Sequence, residues 1–135
     1  VLAWLTAVAA IVGLAATALE YVADGQLRRF AAHRTPGAVL DTGVWAWSRH
    51  PNYFGEVLFW VSMALFGLAA SPGDWWWLFV GAVLMLAMFL GASIPMMEKR
   101  SLERRPGYQH VIDRVPRFVP RPPRSAANPP DQVTA

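Results

Sequence analysis

Apolar runs alternate with polar clusters along this chain, and the pattern predicts an all-α, multi-pass transmembrane helical bundle with three spans. Val1–Leu19 carries no charge and is about long enough to cross the hydrocarbon core as a helix. Glu20, Asp24 and Arg28, four apart, continue one helical face beyond it as an acid–base ladder. His33-Arg34-Thr35-Pro36-Gly37 should break that helix, because Pro-Gly marks a turn. Val39–Trp47 is a mixed connector with a second turn at Asp41-Thr42-Gly43, and Trp45 and Trp47 are expected at headgroup depth. The second apolar run, Phe54–Ala70, is short for a span and is extended into the interface by Asn52 and Tyr53. After the tight turn Ser71-Pro72-Gly73-Asp74, three tryptophans open a third run, Trp75–Met97. In that run Gly91 and Ser93 are expected to let helices approach closely, and Pro95 to kink or end the span. Sequence from Pro122 is Pro-rich and polar and reads as a disordered tail, which leaves residues 1–121 as one membrane domain.

Composition agrees with this class. Of 135 residues, 55% are hydrophobic and only 16% charged, with 7 Trp and no Cys. The lack of cysteine excludes disulfides, thiolate metal sites and a cysteine nucleophile. Val1–Leu19 lacks a basic leader and ends at Glu20-Tyr21, so a signal peptide is a poor reading of it. Because the chain opens on Val inside an apolar run, it reads as processed, trimmed or incomplete.

All 12 Lys and Arg fall in Arg28–Arg49 or Lys99–Arg124, and the Ser71–Asp74 connection has none. The first and third spans therefore exit on one side, and the positive-inside rule makes that side the cytoplasm. The net charge of +3 follows from this orientation. No aromatic–basic platform outside the membrane accompanies it, so nucleic acid is not an expected partner.

The chemistry concentrates in Ser48-Arg49-His50-Pro51-Asn52-Tyr53-Phe54-Gly55-Glu56. Pro51 suits a first helical position, and the residue before it, His50, should be extended. A helix starting there places Arg49, Asn52, Tyr53 and Glu56 along one stripe. Glu56 lies more than a turn into an otherwise apolar helix and needs a partner or a task; it is expected to face a pocket near Arg49, Tyr53 or the Glu98 helix. The topology brings this stretch together with Glu20–Arg29 and Glu98–Tyr108. Arginines in such a place suit phosphate, which the guanidinium fork binds through two oxygens, while Asn52 and the carboxylates suit ribose hydroxyls or an amide. No Gly-rich nucleotide loop, zinc pair or Ser–His–Asp set is present, and no metal site is expected. The simpler alternative is a solvated helix start among headgroups.

Taken in order, Ala23-Asp24-Gly25-Gln26-Leu27-Arg28-Arg29-Phe30, Gly43-Val44-Trp45-Ala46-Trp47 running on through Ser48–Glu56, Pro95-Met96-Met97-Glu98-Lys99-Arg100, Arg105-Pro106-Gly107-Tyr108 and Arg117-Phe118-Val119-Pro120 carry a resemblance. They resemble the C-terminal half of a bacterial membrane family related to steroid 5-alpha-reductases, over about Glu20 to Pro120. A wider similarity, through the shared His50-Pro51 pair, reaches the isoprenylcysteine carboxyl methyltransferases, in which an Arg-His-Pro-x-Tyr run and a later Glu-rich helix followed by Gly-x-x-Tyr shape the S-adenosylmethionine pocket. The resemblance implies an NADPH-dependent reductase of an enone in a lipid-like or steroid-like substrate, in the bacterial inner membrane. It places Arg28, Arg49 and Arg105 at phosphates, and Asp24, Asn52 and Glu56 at the ribose or nicotinamide. His50, Tyr53, Glu98 and Tyr108 complete the pocket, and no residue is assigned a catalytic step. Reductases of this kind draw their acid and substrate-facing groups from upstream helices, so further helices or a partner subunit are expected to complete the bundle. The alternative cofactor is S-adenosylmethionine, whose sulfonium would favour Glu56 and Glu98. A third alternative is a noncatalytic membrane fragment in which the clusters only pair with one another.

Overall fold

A computed structural model describes residues 2–123. The described residues form helices and connecting loops, without strands, and three helical stretches are long and apolar enough to cross a membrane. The expected tail beyond Pro123 lies outside the described residues.

Helix α1 (Ala3–Ala32) runs well past its apolar stretch and stops where the Pro-Gly break was expected, with Gly37 at φ +79°. At 30 residues it is about 45 Å long, more than the hydrocarbon core needs. Helix α2 (Pro51–Ala70) opens on Pro51 at its first turn, after His50 at φ −136°, ψ 61°. The two helices pack antiparallel: the Leu2 N–H donates to the Ala69 carbonyl at one end, and Glu20 lies against Gly55 near the other. Their seam is built from small side chains, Ala9, Ala16 and Ala23 on α1 facing Gly55, Ser62 and Ala69 on α2, all buried. Each set repeats every seven residues, the spacing of a left-handed helix pair. A Cβ on Gly55 would stand 2.6 Å from Glu20 Cγ, and one on Gly13 would stand 2.6 Å from Ser62 Oγ. Close approach therefore occurs here, at Gly13 and Gly55. Gly91, where it was expected, faces open space.

The third span, Pro72–Arg104, is one long helical stretch whose winding changes along its length. It comprises a 3-10 turn (Pro72–Asp74), α3 (Trp75–Leu78), α4 (Val80–Met88), a π-turn (Phe89–Ser93) and α5 (Ile94–Arg104). Trp75, Trp76 and Trp77 are exposed, as an interfacial anchor requires. Pro95 does not end the helix. The π-turn widens the coil immediately before it, one of the ways a chain absorbs a residue that lacks an N–H. A short helix α6 (Tyr108–Arg114) follows, and the chain then returns over the start of α2.

That return is held by main-chain bonds. The Arg49 N–H donates to Pro116 O at 2.9 Å, and the Arg121 N–H to Trp47 O at 3.0 Å. Phe118 inserts beside Phe54 and completes a core of Val57, Phe89 and Ile94. The connector after α1 also docks rather than floats. The Val44 N–H donates to Gln26 Oε1, whose amide fills the place a Cβ on Gly43 would take. Trp45 is buried within the protein, and its indole N–H donates to the Ala23 carbonyl at 3.0 Å. Trp47 remains largely exposed.

Candidate functional site

The C-terminal end of α1, the N-terminal end of α2 and the C-terminal end of α5 meet on one face and enclose a cleft of about 400 Å³. Leu27, Phe30 and Arg34 contribute one wall from α1 and its exit, and Met97, Arg100, Ser101 and Arg104 contribute the facing wall from α5. Arg49, His50, Asn52 and Tyr53 form the base, while Trp45, Arg105, Tyr108 and Val111 close the sides. The volume lies in the range of small-molecule sites, and the lining mixes aromatic surface with five guanidinium groups.

The base is rigid for reasons that can be followed residue by residue. Ser48 is wholly buried; its hydroxyl donates to Phe118 O at 2.7 Å and accepts from the His50 N–H at 3.1 Å. This local turn delivers the chain to Pro51 with His50 held outside the helix. His50 Nε2 lies 3.1 Å from Glu98 Oε1, and the His50 ring stacks on Tyr53, which in turn stacks on Phe89 with centroids 4.3 Å apart. Arg49 Nε is 3.1 Å from the same Glu98 oxygen, although its N–H is not aligned for a hydrogen bond, and Nη1 donates to Ile112 O at 3.2 Å. Glu98 thus fastens α5 to the loop before α2. Tyr108 is held above the ordinary tyrosine range by burial and then by the negative charge of Glu98, so its hydroxyl stays protonated and able to donate.

The rim differs in charge from the base. Among the described residues, Arg34, Arg100, Arg104 and Arg105 have no ion-pair partner. Arg34 lies over the Phe30 ring at 5.3 Å. Burial, and then repulsion from Arg34 and Arg104, lowers Arg105 below the usual arginine range; it stays charged near neutral pH, and a bound anion would relieve that repulsion.

Of the residues singled out from the sequence, Arg49, His50, Asn52, Tyr53, Arg105 and Tyr108 line the cleft, and Glu98 braces it from beneath. Asp24, Arg28 and Glu56 do not line it. The expected stripe from Arg49 to Glu56 is broken, because Arg49 precedes the helix and turns toward Glu98. Glu56 sits one turn deeper, where α1 closes over α2; it accepts from the Trp60 indole at 3.2 Å and lies within hydrogen-bonding reach of Glu20. Its expected neighbours, Arg49, Tyr53 and the Glu98 helix, are not its partners. Among the described residues, no ion pair joins Glu20 or Asp24 to Arg28, so the expected ladder does not form. Arg34, Arg100, Ser101 and Arg104 were missed. Their signal was present in two helical repeats, Leu27–Phe30–Arg34 and Met97–Arg100/Ser101–Arg104, which point one face of each helix end at the other.

With the geometry in place, comparison with known proteins adds one decisive match. The family described as "Protein of unknown function (DUF1295)" covers residues 1–115. The chain belongs to this family. It is also similar to a protein of Schizosaccharomyces pombe described as uncharacterized, with 41% identity over 80 residues. The match takes in 59% of this chain and 23% of the yeast protein, so the chain spans less than a quarter of that relative. No solved structure matches the chain.

Proposed function

We propose that this chain is the cofactor-binding part of a membrane reductase, and that its cleft holds the phosphate-bearing portion of NADPH at the cytoplasmic face of a bacterial inner membrane. One observation carries the reading: four arginines, without carboxylate partners among the described residues, crowd one rim above a base whose own arginine, Arg49, already faces Glu98. Such a rim attracts an anion with several phosphate oxygens. S-adenosylmethionine is the weaker fit, since its sulfonium seeks a carboxylate. Glu56 lies off the cleft, and Glu98 is already engaged by Arg49 and His50.

In this reading Arg34, Arg100, Arg104 and Arg105 hold phosphates, with Arg49 contributing from the base. Asn52 and Ser101 offer hydrogen bonds to ribose hydroxyls, and Tyr108 donates from the side wall. The cofactor, when bound, supplies hydride to the β-carbon of an enone in a lipid-like substrate. This chain's residues orient it and close water away from its inner end; helices beyond those described here, or a partner subunit, supply the substrate-facing wall. The reductase likeness of the Arg49–Glu56 motif supports the same assignment.

Binding in detergent tests it. Losing one guanidinium that binds phosphate should weaken NADPH roughly tenfold, the usual worth of a hydrogen bond to a charged group. Arg104→Gln and Arg105→Gln are expected to do so, and added salt to weaken binding further because the rim is exposed. Glu56→Gln should leave affinity unchanged. Tight S-adenosylmethionine binding that depends on Glu98, with no NADPH binding, would overturn the proposal in favour of a methyltransferase.

A further inference from the structure

The π-turn in the third span leaves one carbonyl without a main-chain donor, and a distant arginine fills the place. In this turn the Ile94 N–H reaches back five residues to Phe89 O. Continuing that pattern, Leu90 O would receive the N–H of residue 95. That residue is Pro95, which has none. The guanidinium of Arg117, from the returning segment after α6, donates instead to Leu90 O through Nη2. A side-chain donor is thus supplied from 27 positions away to a carbonyl that the local sequence cannot satisfy.

The consequence reaches the cleft through helix rotation. A π-turn inserts one extra residue, which turns everything after it by about 100° around the helix axis. Everything after it here is α5. Its present setting points Glu98 at Arg49 and His50, and Met97, Ser101 and Arg104 into the cleft. The returning segment is itself anchored to the base of the cleft, through Arg49 N–H to Pro116 O and Ser48 Oγ to Phe118 O. Arg117 therefore ties the base of the cleft to the turn that sets its facing wall. We infer that Arg117 is a positioning residue: by capping Leu90 O it holds the π-turn, and with it the rotational setting of α5 that aims the cleft-lining side chains. The assignment stands on geometry alone; only its effect on NADPH rests on the cofactor reading above.

The chain has no cysteine, so a single Ser101→Cys substitution gives a clean reporter of the wall's orientation. The probe is a water-soluble, negatively charged thiol reagent, which the arginine rim should draw to that position. Arg117→Gln is expected to slow labelling of Ser101→Cys several-fold and, in the protein with Ser101 intact, to weaken NADPH roughly tenfold. Arg117→Lys, which keeps a cationic donor, should restore both. The decisive arm is Pro95→Ala. It returns an N–H at the position facing Leu90 O, so Arg117→Gln should have little effect in that background. A merely stabilising surface arginine would show no such dependence on residue 95. Equal effects of Arg117→Gln with Pro95 intact and in the Pro95→Ala background, or no effect with Pro95 intact, would overturn the inference. If Arg117→Gln alone does not fold, recovery of folded protein by adding Pro95→Ala supports the inference, and failure to recover it counts against it. Should the unaltered protein not bind NADPH, labelling still decides the role of Arg117, and only the cofactor reading falls.

Discussion

Arg49 shows how much structure one side chain can carry in this protein. Its main chain bonds the returning segment at Pro116, its Nη1 bonds the Ile112 carbonyl, and its charge faces Glu98, while its side chain is only 8% exposed. A guanidinium so placed serves first as a brace. Removing its counter-charge leaves it buried and unpaired, which is where ion pairs show their largest effects. Glu98→Gln should therefore destabilise the protein by about 2–3 kcal/mol, less than for a sealed pair because Glu98 keeps some contact with solvent. Replacing both partners, as Arg49→Met with Glu98→Met, should cost less than the sum of the single changes. Thermal unfolding of the four proteins in detergent checks this, and strict additivity would mean that the pair is not coupled. The brace also explains why the proposed phosphate contacts are assigned mainly to Arg34, Arg100, Arg104 and Arg105, which have no ion-pair partner among the described residues.

Among the elements, the α1–α2 pair sets the geometry of the rest, and small residues set the pair. With Ala9, Ala16 and Ala23 against Gly55, Ser62 and Ala69, the two backbones come close enough for Glu20 Cγ to occupy the space above Gly55. A methyl group at Gly55 has no free volume, with Glu20 Cγ at 2.6 Å and the Ala16 carbonyl at 3.1 Å. Gly55→Ala should thus cost about 1–3 kcal/mol, the range for overpacking. Gly91→Ala, which meets nothing within 4 Å, should be neutral or slightly stabilising. Unfolding midpoints of the two variants test the seam, and equal tolerance would contradict it. The three spans, the turn at Pro36-Gly37, the start of α2 at Pro51 and the meeting of Arg49 and His50 with the Glu98 helix were all legible in the sequence, because each depends on hydropathy or on proline. The seam was not, because alanine in an apolar run looks like any other apolar residue until its seven-residue spacing is counted. The aim of Glu56 was illegible for a related reason. Its stripe was drawn on α2 alone, whereas α1 covers the turn on which it lies. The clasp of Arg117 on Leu90 O joins residues far apart in the chain, and no local pattern announces such a pairing.

On the scale of the whole molecule, charge and shape divide the protein into two ends. Exposed apolar side chains such as Val8, Ile11 and Leu14 on α1, and Val83 and Leu84 on α4, clothe the middle in a surface suited to lipid. Every Lys and Arg among the described residues lies toward the end that bears the cleft, and the opposite connection, Ser71–Asp74, carries a single acid. Moving a cluster of cations across a membrane is far costlier than moving a short turn without them, and orientation follows the lysines and arginines of short loops. The cleft should then open to the cytoplasm, where NADPH would have to reach it. A topology reporter inserted near Pro36, or fused after Ala135, should read as cytoplasmic, and one at Gly73 as external. Placing several lysines in the Ser71–Asp74 turn should disturb this orientation, since both ends would then compete for the same side. A cytoplasmic reading at Gly73 in the unaltered chain would contradict the three-span arrangement. An external reading at Pro36 together with a cytoplasmic one at Gly73 would keep the spans but invert them, and would place the cleft outside the compartment that the proposed cofactor requires.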